Sequence, residues 1–187
     1  MSQGKLFVIS GASGVGKGTV LAKAMAKRKD LSFSVSATTR APRPGEVEGV
    51  HYYFVSTAQF EEMIRGDELV EYDNHNLNYY GTPKAQLEDK LQSGHVILDI
   101  EPVGAKNVRN KCPDATLIFI EPPSMEELER RLRHRGDTPE DQIKIRMERA
   151  VWEMEQKDWY DHVIVNDRAD DCAEELLNII AMHCGEE

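Results

Sequence analysis

The nine residues Gly11-Ala12-Ser13-Gly14-Val15-Gly16-Lys17-Gly18-Thr19 constrain this chain more than any other stretch. They follow a short apolar run, Leu6-Phe7-Val8-Ile9, and precede a helix-like segment over Val20–Lys29. The order is strand, glycine-rich turn, helix. Backbone N–H groups in such a turn can cradle phosphate oxygens, and the helix N-terminus adds a favourable dipole. Lys17 supplies a point positive charge for the β and γ phosphates. The first ligand to consider is a mononucleotide triphosphate, bound along Gly11 to Thr19. The stretch fits GxxxxGK, yet Gly18 stands where Ser or Thr usually follows the lysine. Thr19, one residue on, is the hydroxyl left for the Mg2+ role. A chance glycine-rich turn is the alternative, and the register of strand, lysine and helix argues against it.

Size and charge narrow the remaining classes. A chain of 187 residues fits one domain, or one domain with small inserts. Its 23 basic and 33 acidic residues give a net charge of −10. That excludes the basic footprint of nonspecific nucleic-acid binding. It leaves a nucleotide open, because a local arginine pocket can hold phosphates inside an acidic protein. Cys112, Cys172 and Cys184 form no CxxC pair and are odd in number. A reducing cytoplasm is expected, with no disulfide framework and no zinc knuckle. Met1-Ser2-Gln3-Gly4-Lys5 shows no signal-peptide core, and no run approaches 18 apolar residues, so no membrane partner is expected. Monomer and homodimer both stay open.

Periodicity sets the expected architecture. Leu6–Ile9, Phe33–Ser36, Val96–Ile100, Leu117–Ile120 and His162–Val165 read as buried-type strands. Helices are expected over Val20–Lys29, Thr57–Arg65, Lys84–Gln92, Glu126–Arg135, Glu140–Asp158 and Asp171–Met182. Strands interleaved with helices predict an α/β fold on a mostly parallel five-stranded sheet. Residues 33–83 break this rhythm. They hold shorter strand patterns, His51–Val55 and Glu68–Asn74, and Tyr79-Tyr80-Gly81-Thr82-Pro83 reads as a turn into a helix. This stretch is expected to be a small mixed α/β insert on a core of residues 1–32 and 84–187. The densely charged segment of about 126–150 is expected to be a helical lid. Leu176, Leu177, Ile179 and Ile180 are expected to seal the core, and His134 and His183 to be solvated.

The insert holds a second candidate site. Arg40 and Arg43, stiffened by Pro42 and Pro44, can form a fork for a second phosphate. An exposed basic loop is the other reading. Tyr52, Tyr79 and Tyr80 can donate to phosphate oxygens or pack on a base, though core packing is the commoner role of such tyrosines. Glu71, in a strand pattern, with Thr82 downstream, suits a purine that presents N–H donors at N1 and N2, which is the guanine edge. Adenine would set a lone pair against the carboxylate. Asp99 ends the buried run Val96-Ile97-Leu98, at the strand end where open α/β sheets bind ligands. Helix capping or Mg2+ organisation are its alternatives.

On these residues the chain resembles the guanylate kinases, over about Lys5 to Met182. The most specific stretch is Phe33-Ser34-Val35-Ser36-Ala37-Thr38-Thr39-Arg40-Ala41-Pro42-Arg43-Pro44-Gly45-Glu46, followed by Gly49 and His51-Tyr52-Tyr53-Phe54. Asn78-Tyr79-Tyr80-Gly81-Thr82 and Ile164-Val165-Asn166-Asp167 add to it. The resemblance implies a P-loop core, a GMP-binding insert and a lid that close over ATP and GMP. It implies transfer of the γ-phosphoryl group to GMP, with dGMP as a further acceptor to test. It implies that Arg40, Arg43, Tyr52 and Tyr80 hold the GMP phosphate, and that Ser36, Glu71, Thr82 and Asp99 read the guanine. It places Glu101 near the metal and phosphate network, so that Thr19 would serve Mg2+ with Asp99 or Glu101 through water. It assigns Arg131, Arg135 and Arg146 to ATP and the transferring group, and Asn166 and Asp167 to the loop beside the adenine. Lys17, Arg40, Arg43, Arg135 and Arg146 would offset the charge of two approaching anions. Surface ion pairs with Glu127 and its neighbours are the competing role for these helix arginines, more so for Arg130 and Arg133.

Two departures stand out: Gly18 after the lysine, and Pro102-Val103 where the family rarely has Pro and usually has Gln at the second position. Two other functions compete. A binding module would use the acceptor cleft to grip a phosphorylated peptide, and such modules tend to have a damaged ATP loop. A P-loop kinase for another phosphate acceptor, such as a ribose bisphosphate or a dUMP-like nucleotide, would not need Glu71 together with Asp99.

Overall fold

The structure, a computed structural model, describes residues 4–75, 77–134 and 139–186. In chain order its elements are β1 (Leu6–Gly11), α1 (Lys17–Lys27), β2 (Leu31–Phe33), β3 (Ala37–Thr38), β4 (Tyr53–Phe54), α2 (Thr57–Arg65), β5 (Leu69–His75), β6 (Asn78–Pro83), α3 (Lys84–Ser93), β7 (His95–Asp99), α4 (Pro102–Lys111), β8 (Thr116–Glu121), α5 (Met125–His134), α6 (Glu140–Glu155), β9 (His162–Val165) and α7 (Ala169–Cys184). The expected five-stranded sheet is present, in the order β2-β7-β1-β8-β9. A four-stranded sheet runs β4-β3-β6-β5. Two compact units result, one from Asp30–Ala115 with the chain start up to Leu6, the other from Phe7–Lys29 and Thr116 onward. No helix among the described residues is long and apolar enough to cross a membrane.

In the second unit β1 is buried at all six positions and pairs in parallel with β8, Phe7 opposite Thr116 through Gly11 opposite Ile120. A strand buried on both faces has no polar alternation, which is why Leu6–Ile9 reads as a continuous apolar run. Gly11 is required by space: a Cβ there would stand 2.5 Å from the Ile120 carbonyl oxygen. Helix α7 buries Cys172, Ala173, Leu176 and Ile180, a stripe at helical spacing, so Leu176 and Ile180 seal the core as expected while Leu177 and Ile179 are only half-buried. Lys23 to Asp170 at 2.6 Å and Lys27 to Glu174 tie α1 to α7 on the exposed side, where each pair contributes little. His183 departs from expectation. It is half-buried, its Nε2 lies 2.9 Å from that of His162, and its ring meets Phe7 edge-on.

In the first unit Ala37, Phe60 and Leu69 form a small core, with Tyr53, Val55, Met63, Ile64 and Tyr79 packed on it. Helix α2 starts at a capping box: the Gln59 N–H donates to the Ser56 hydroxyl and the Ser56 N–H donates back to the Gln59 side chain. Two expectations are corrected here, and one helix is new. The strand expected at Phe33–Ser36 ends at Phe33, and pairing resumes at Ala37 in the other sheet. Tyr79–Pro83 is not a turn but most of β6, paired with both β3 and β5. Residues 102–111 form α4, for which the weak apolar pattern gives no sequence signal. Elsewhere only the ends move: α1 begins at Lys17, β4 spans Tyr53–Phe54, and α6 stops at Glu155 before a single 3-10 turn over Lys157–Trp159.

Candidate active site

The glycine-rich loop leaves β1 and enters α1 without a side-chain cap. Gly14 and Gly16 sit at φ +90° and +95°, the left-handed region that favours glycine. Gly16 is the residue that caps α1, so the helix presents an uncapped N-terminus. Among the described residues the N–H groups of Gly14, Gly16 and Gly18 donate to no protein acceptor. Two others are engaged: Val15 N–H donates to the Ala12 carbonyl at 3.0 Å, and Ser13 N–H to the Glu153 carboxylate at 2.6 Å. Free amides at a helix N-terminus form a ready anion site. Lys17 opens the helix itself, and Ala12 is buried beneath the loop. Thr19 lies exposed in the first turn of α1.

Three side chains brace this loop. Asn166, buried just after β9, donates its Nδ2 to the Val15 carbonyl at 2.7 Å. Arg131 on α5 pairs with Glu127 through Nε at 2.7 Å. Its Nη1 donates to the Asn166 carbonyl at 2.7 Å and its Nη2 to the Asp167 carbonyl at 3.1 Å. All three nitrogens of Arg131 are thus committed to protein acceptors. Arg131, expected at the ATP side of the site, ties the Asn166–Asp167 loop, expected beside the adenine, to α5. Arg130 and Arg133 make the surface pairs foreseen for them, with Glu127 and with Glu129 and Glu140. Arg146 is half-buried on α6 and forms no ion pair among the described residues. Arg135 lies outside the described residues. Glu153 carries no sequence signal: it is one acid among many in a charged helix.

The first unit gathers the acceptor candidates on the four-stranded sheet. Side chains alternate along a strand, so Tyr80 and Thr82 share one face of β6 and Tyr79 takes the other. Tyr79 stacks on Phe60 with centroids 5.1 Å apart, packed on the small core, the commoner role of such tyrosines. Tyr80 meets Tyr52 edge-on at 6.0 Å. Thr38 and Thr39 lock β3 to β6: the Thr38 hydroxyl donates to the Tyr79 carbonyl at 2.9 Å, and the Thr39 hydroxyl accepts from Tyr79 N–H at 2.9 Å. Arg40 therefore leaves the strand end from a fixed backbone. Its guanidinium lies 5.4 Å from the centre of the Tyr52 ring, a cation–π distance. Ser36, half-buried just before β3, accepts from Tyr53 N–H through its carbonyl.

Beyond Arg40 the chain reverses over Arg43-Pro44-Gly45-Glu46, with Glu46 N–H donating to the Arg43 carbonyl at 3.0 Å and Gly45 at φ +87°. Proline and then a positive-φ glycine are the residues a type II turn needs. The turn brings the Glu46 carboxylate onto the Arg40 guanidinium through two bonds, at 2.8 and 3.0 Å, and onto the Arg43 N–H at 2.7 Å. The Arg40 hydrogen bonds and the Arg43 amide hold the Glu46 carboxyl down to about 2, so it is an anion throughout the neutral range. The Arg43 side chain is exposed and makes no hydrogen bond among the described residues.

Glu71, like Glu153, is a buried glutamate. It is 5% exposed, on β5 opposite Thr82, whose hydroxyl donates to it at 2.6 Å. Burial pushes its carboxyl up to about 7, against the opposing pull of the Thr82 hydrogen bond. A Cβ on Gly104 of α4 would stand 2.5 Å from Glu71 Oε2, so that glycine leaves room for the carboxylate. Asp99 ends β7, exposed, and Glu101 precedes α4, whose first residue is Pro102. Asp99 is therefore not the capping residue of that helix.

A parallel strand, a glycine-rich loop with open amides, and a helix N-terminus define a P-loop nucleotide-binding protein. The comparisons narrow the class. A family profile described as Guanylate kinase matches residues 3–183. The chain is 48% identical over 176 residues to the guanylate kinase of Synechococcus sp. (strain JA-3-3Ab), covering 94% of this chain and 81% of that one. It is 47% identical over 179 residues to a guanylate kinase of Thermus thermophilus, covering 95% of this chain and 81% of its relative. The crystal structure of guanylate kinase from Anaplasma phagocytophilum superposes with a TM-score of 0.77 at 34% identity, over 97% of this chain and 86% of that one. The chain belongs to the guanylate kinase family.

Proposed function

We propose that the chain transfers the γ-phosphoryl group of ATP to GMP, giving ADP and GDP. The observation that carries this reading is the buried Glu71–Thr82 pair on the same sheet as the Arg40–Tyr52–Tyr80 cluster. An ionised Glu71 accepts from the N1 and N2 hydrogens of guanine; adenine offers no donor at N1. Thr82, Ser36 and Asp99 complete the base contacts. Arg40, Arg43, Tyr52 and Tyr80 take the GMP phosphate, with residues 33–83 as the acceptor-binding insert.

The open amides of Gly14, Gly16 and Gly18 cradle the ATP phosphates, with Lys17 as the loop's cation and the Asn166–Asp167 loop beside the adenine. The GMP phosphate is already an anionic nucleophile, so no general base has to remove a proton. The work left to the protein is orientation and charge compensation, which suits Lys17 and arginines such as Arg43, Arg135 and Arg146. Thr19, Asp99 and Glu101 are hard oxygen donors of the type Mg2+ takes, and Mg2+ keeps several waters and binds through few protein ligands. When bound, the ion offsets the charge of the ATP phosphates. With Gly18 in place of a hydroxyl residue, Thr19 is the loop's oxygen for that role.

The test is ADP formation from ATP and Mg2+ with GMP, dGMP, IMP and AMP as separate acceptors. Turnover with the guanine acceptors and none with AMP is the expected result. Tight GMP binding without ADP release would overturn the enzyme reading in favour of a binding module.

A further inference from the structure

The mechanism above leaves one buried charge unused. Glu153 of α6 is 1% exposed. A buried carboxylate is costly unless its oxygens are satisfied. Both are. Oε2 accepts the Ser13 N–H of the glycine-rich loop at 2.6 Å, and Oε1 accepts Arg149 Nε at 3.0 Å. The first bond is short and charge-assisted, which places it among the stronger hydrogen bonds available to a protein.

The position on α6 matters as much as the bond. Ile143, Arg146, Ala150 and Glu153 follow one another at spacings of three and four, so they share a helix face. Ile143 and Ala150 are buried on it. One carboxylate thus joins the loop backbone to the helix that carries Arg146 and Arg149. It also takes the Ser13 amide out of the set available to a phosphate. The opposite side of the loop is held by Asn166 on the Val15 carbonyl. Gly14 lies between these two anchors and Gly16 directly follows the second, both at positive φ, where the backbone would otherwise sample the widest range of shapes.

We propose that Glu153 is a positioning residue for the nucleoside triphosphate half of the site. It holds the loop in its anion-binding shape and registers α6 against it. The proposal rests on the reading of this loop as the ATP cradle, but not on transfer to GMP.

The test measures each ligand alone by calorimetry: the β,γ-imido analogue of ATP with Mg2+, and GMP. Glu153→Gln keeps an oxygen for Ser13 but turns an amide N–H2 toward Arg149. The expected result is a folded variant with at least tenfold weaker binding of the analogue and a GMP Kd within twofold of the parent. Unchanged analogue binding, or equal loss for both ligands, overturns the proposal, the second by showing a general structural role. A wild-type measurement covers a variant that does not fold. Amide exchange by NMR should find Ser13 N–H protected with and without the analogue, and Gly14, Gly16 and Gly18 protected only with it. A Ser13 amide that exchanges as fast as that of Gly14 in the free protein overturns the proposal. Should the parent bind both ligands and release no ADP, the kinase reading fails while this one stands.

Discussion

At the scale of single residues, chemistry is set by what surrounds each charged group. Glu71 and Glu46 are both glutamates in the first unit, yet burial raises one carboxyl to about 7 and an arginine fork lowers the other to about 2. Between pH 4.5 and about 7 the folded chain keeps a proton on Glu71 that the unfolded chain has lost. Stability from this group is therefore fully present below 4.5 and is lost as pH rises through about 7, by about 3 kcal/mol in all. Urea midpoints taken across this range should show that slope, and Glu71→Gln should flatten it. The same substitution should weaken GMP roughly tenfold or more at a pH of about 8, because a buried donor then lacks its acceptor. The loss should shrink toward a pH of about 6, where wild-type Glu71 is itself largely protonated. Arg40→Lys should raise KM for GMP roughly tenfold and leave KM for ATP near its parent value, since an ammonium cannot reproduce the planar fork; steady-state kinetics with each substrate varied will decide it. The glycine loop, Arg40, Arg43, Glu71 and Thr82 were legible in the chain because each lies in a short local motif. Arg131 was legible as a candidate, but its bonds to the Asn166 and Asp167 carbonyls were not, nor was Glu153. Those contacts join groups that lie far apart in sequence.

At the scale of elements, the same substitution should act with opposite sign at two glycines. Gly18 lies in the first turn of α1 with open space where a Cβ would go. Gly18→Ala should stabilise the protein by up to about 1 kcal/mol through helix propensity. Gly104 also lies in the first turn of a helix, but its Cβ would meet Glu71 Oε2. Gly104→Ala should cost about 1–3 kcal/mol, because overpacking outweighs the propensity gain, and it should weaken GMP as well. Thermal unfolding of the two variants side by side checks both signs. The elements that sequence patterns located well are the ones with strong periodicity, such as β1, β8 and α7. Strand β6 reads as a turn in the sequence because Gly81-Thr82-Pro83 carries turn chemistry. It is a strand because β3 and β5 flank it and satisfy its backbone. Strand propensity is decided by such neighbours more than by the residues themselves. Helix α4 carries little sequence signal because Gly104 and two asparagines dilute its apolar spacing.

At the scale of the whole molecule, two compact units give ligand binding a regional signature. A ligand held by one unit stabilises the native chain by mass action, about 2.7 kcal/mol at a hundredfold excess over Kd. Hydrogen exchange read by mass spectrometry should show GMP protecting peptides within Asp30–Ala115 most strongly, and ATP analogue protecting those of Phe7–Lys29 and Val163–Arg168. Protection by GMP confined to the glycine loop would contradict the acceptor assignment. From the sequence alone follow the α/β class, the phosphate loop and the family, because these rest on local spacing: glycines where backbone must bend, a lysine at a helix start, apolar runs where strands are buried. Tertiary structure alone decided that Tyr79 packs on the small core, that burial raises the Glu71 carboxyl, that Arg131 bonds the Asn166 and Asp167 carbonyls, and that Glu153 reaches the Ser13 amide. The physical reason is common to all four. Burial, pairing and desolvation depend on which distant segments are brought within a few ångströms, and no local pattern encodes that distance.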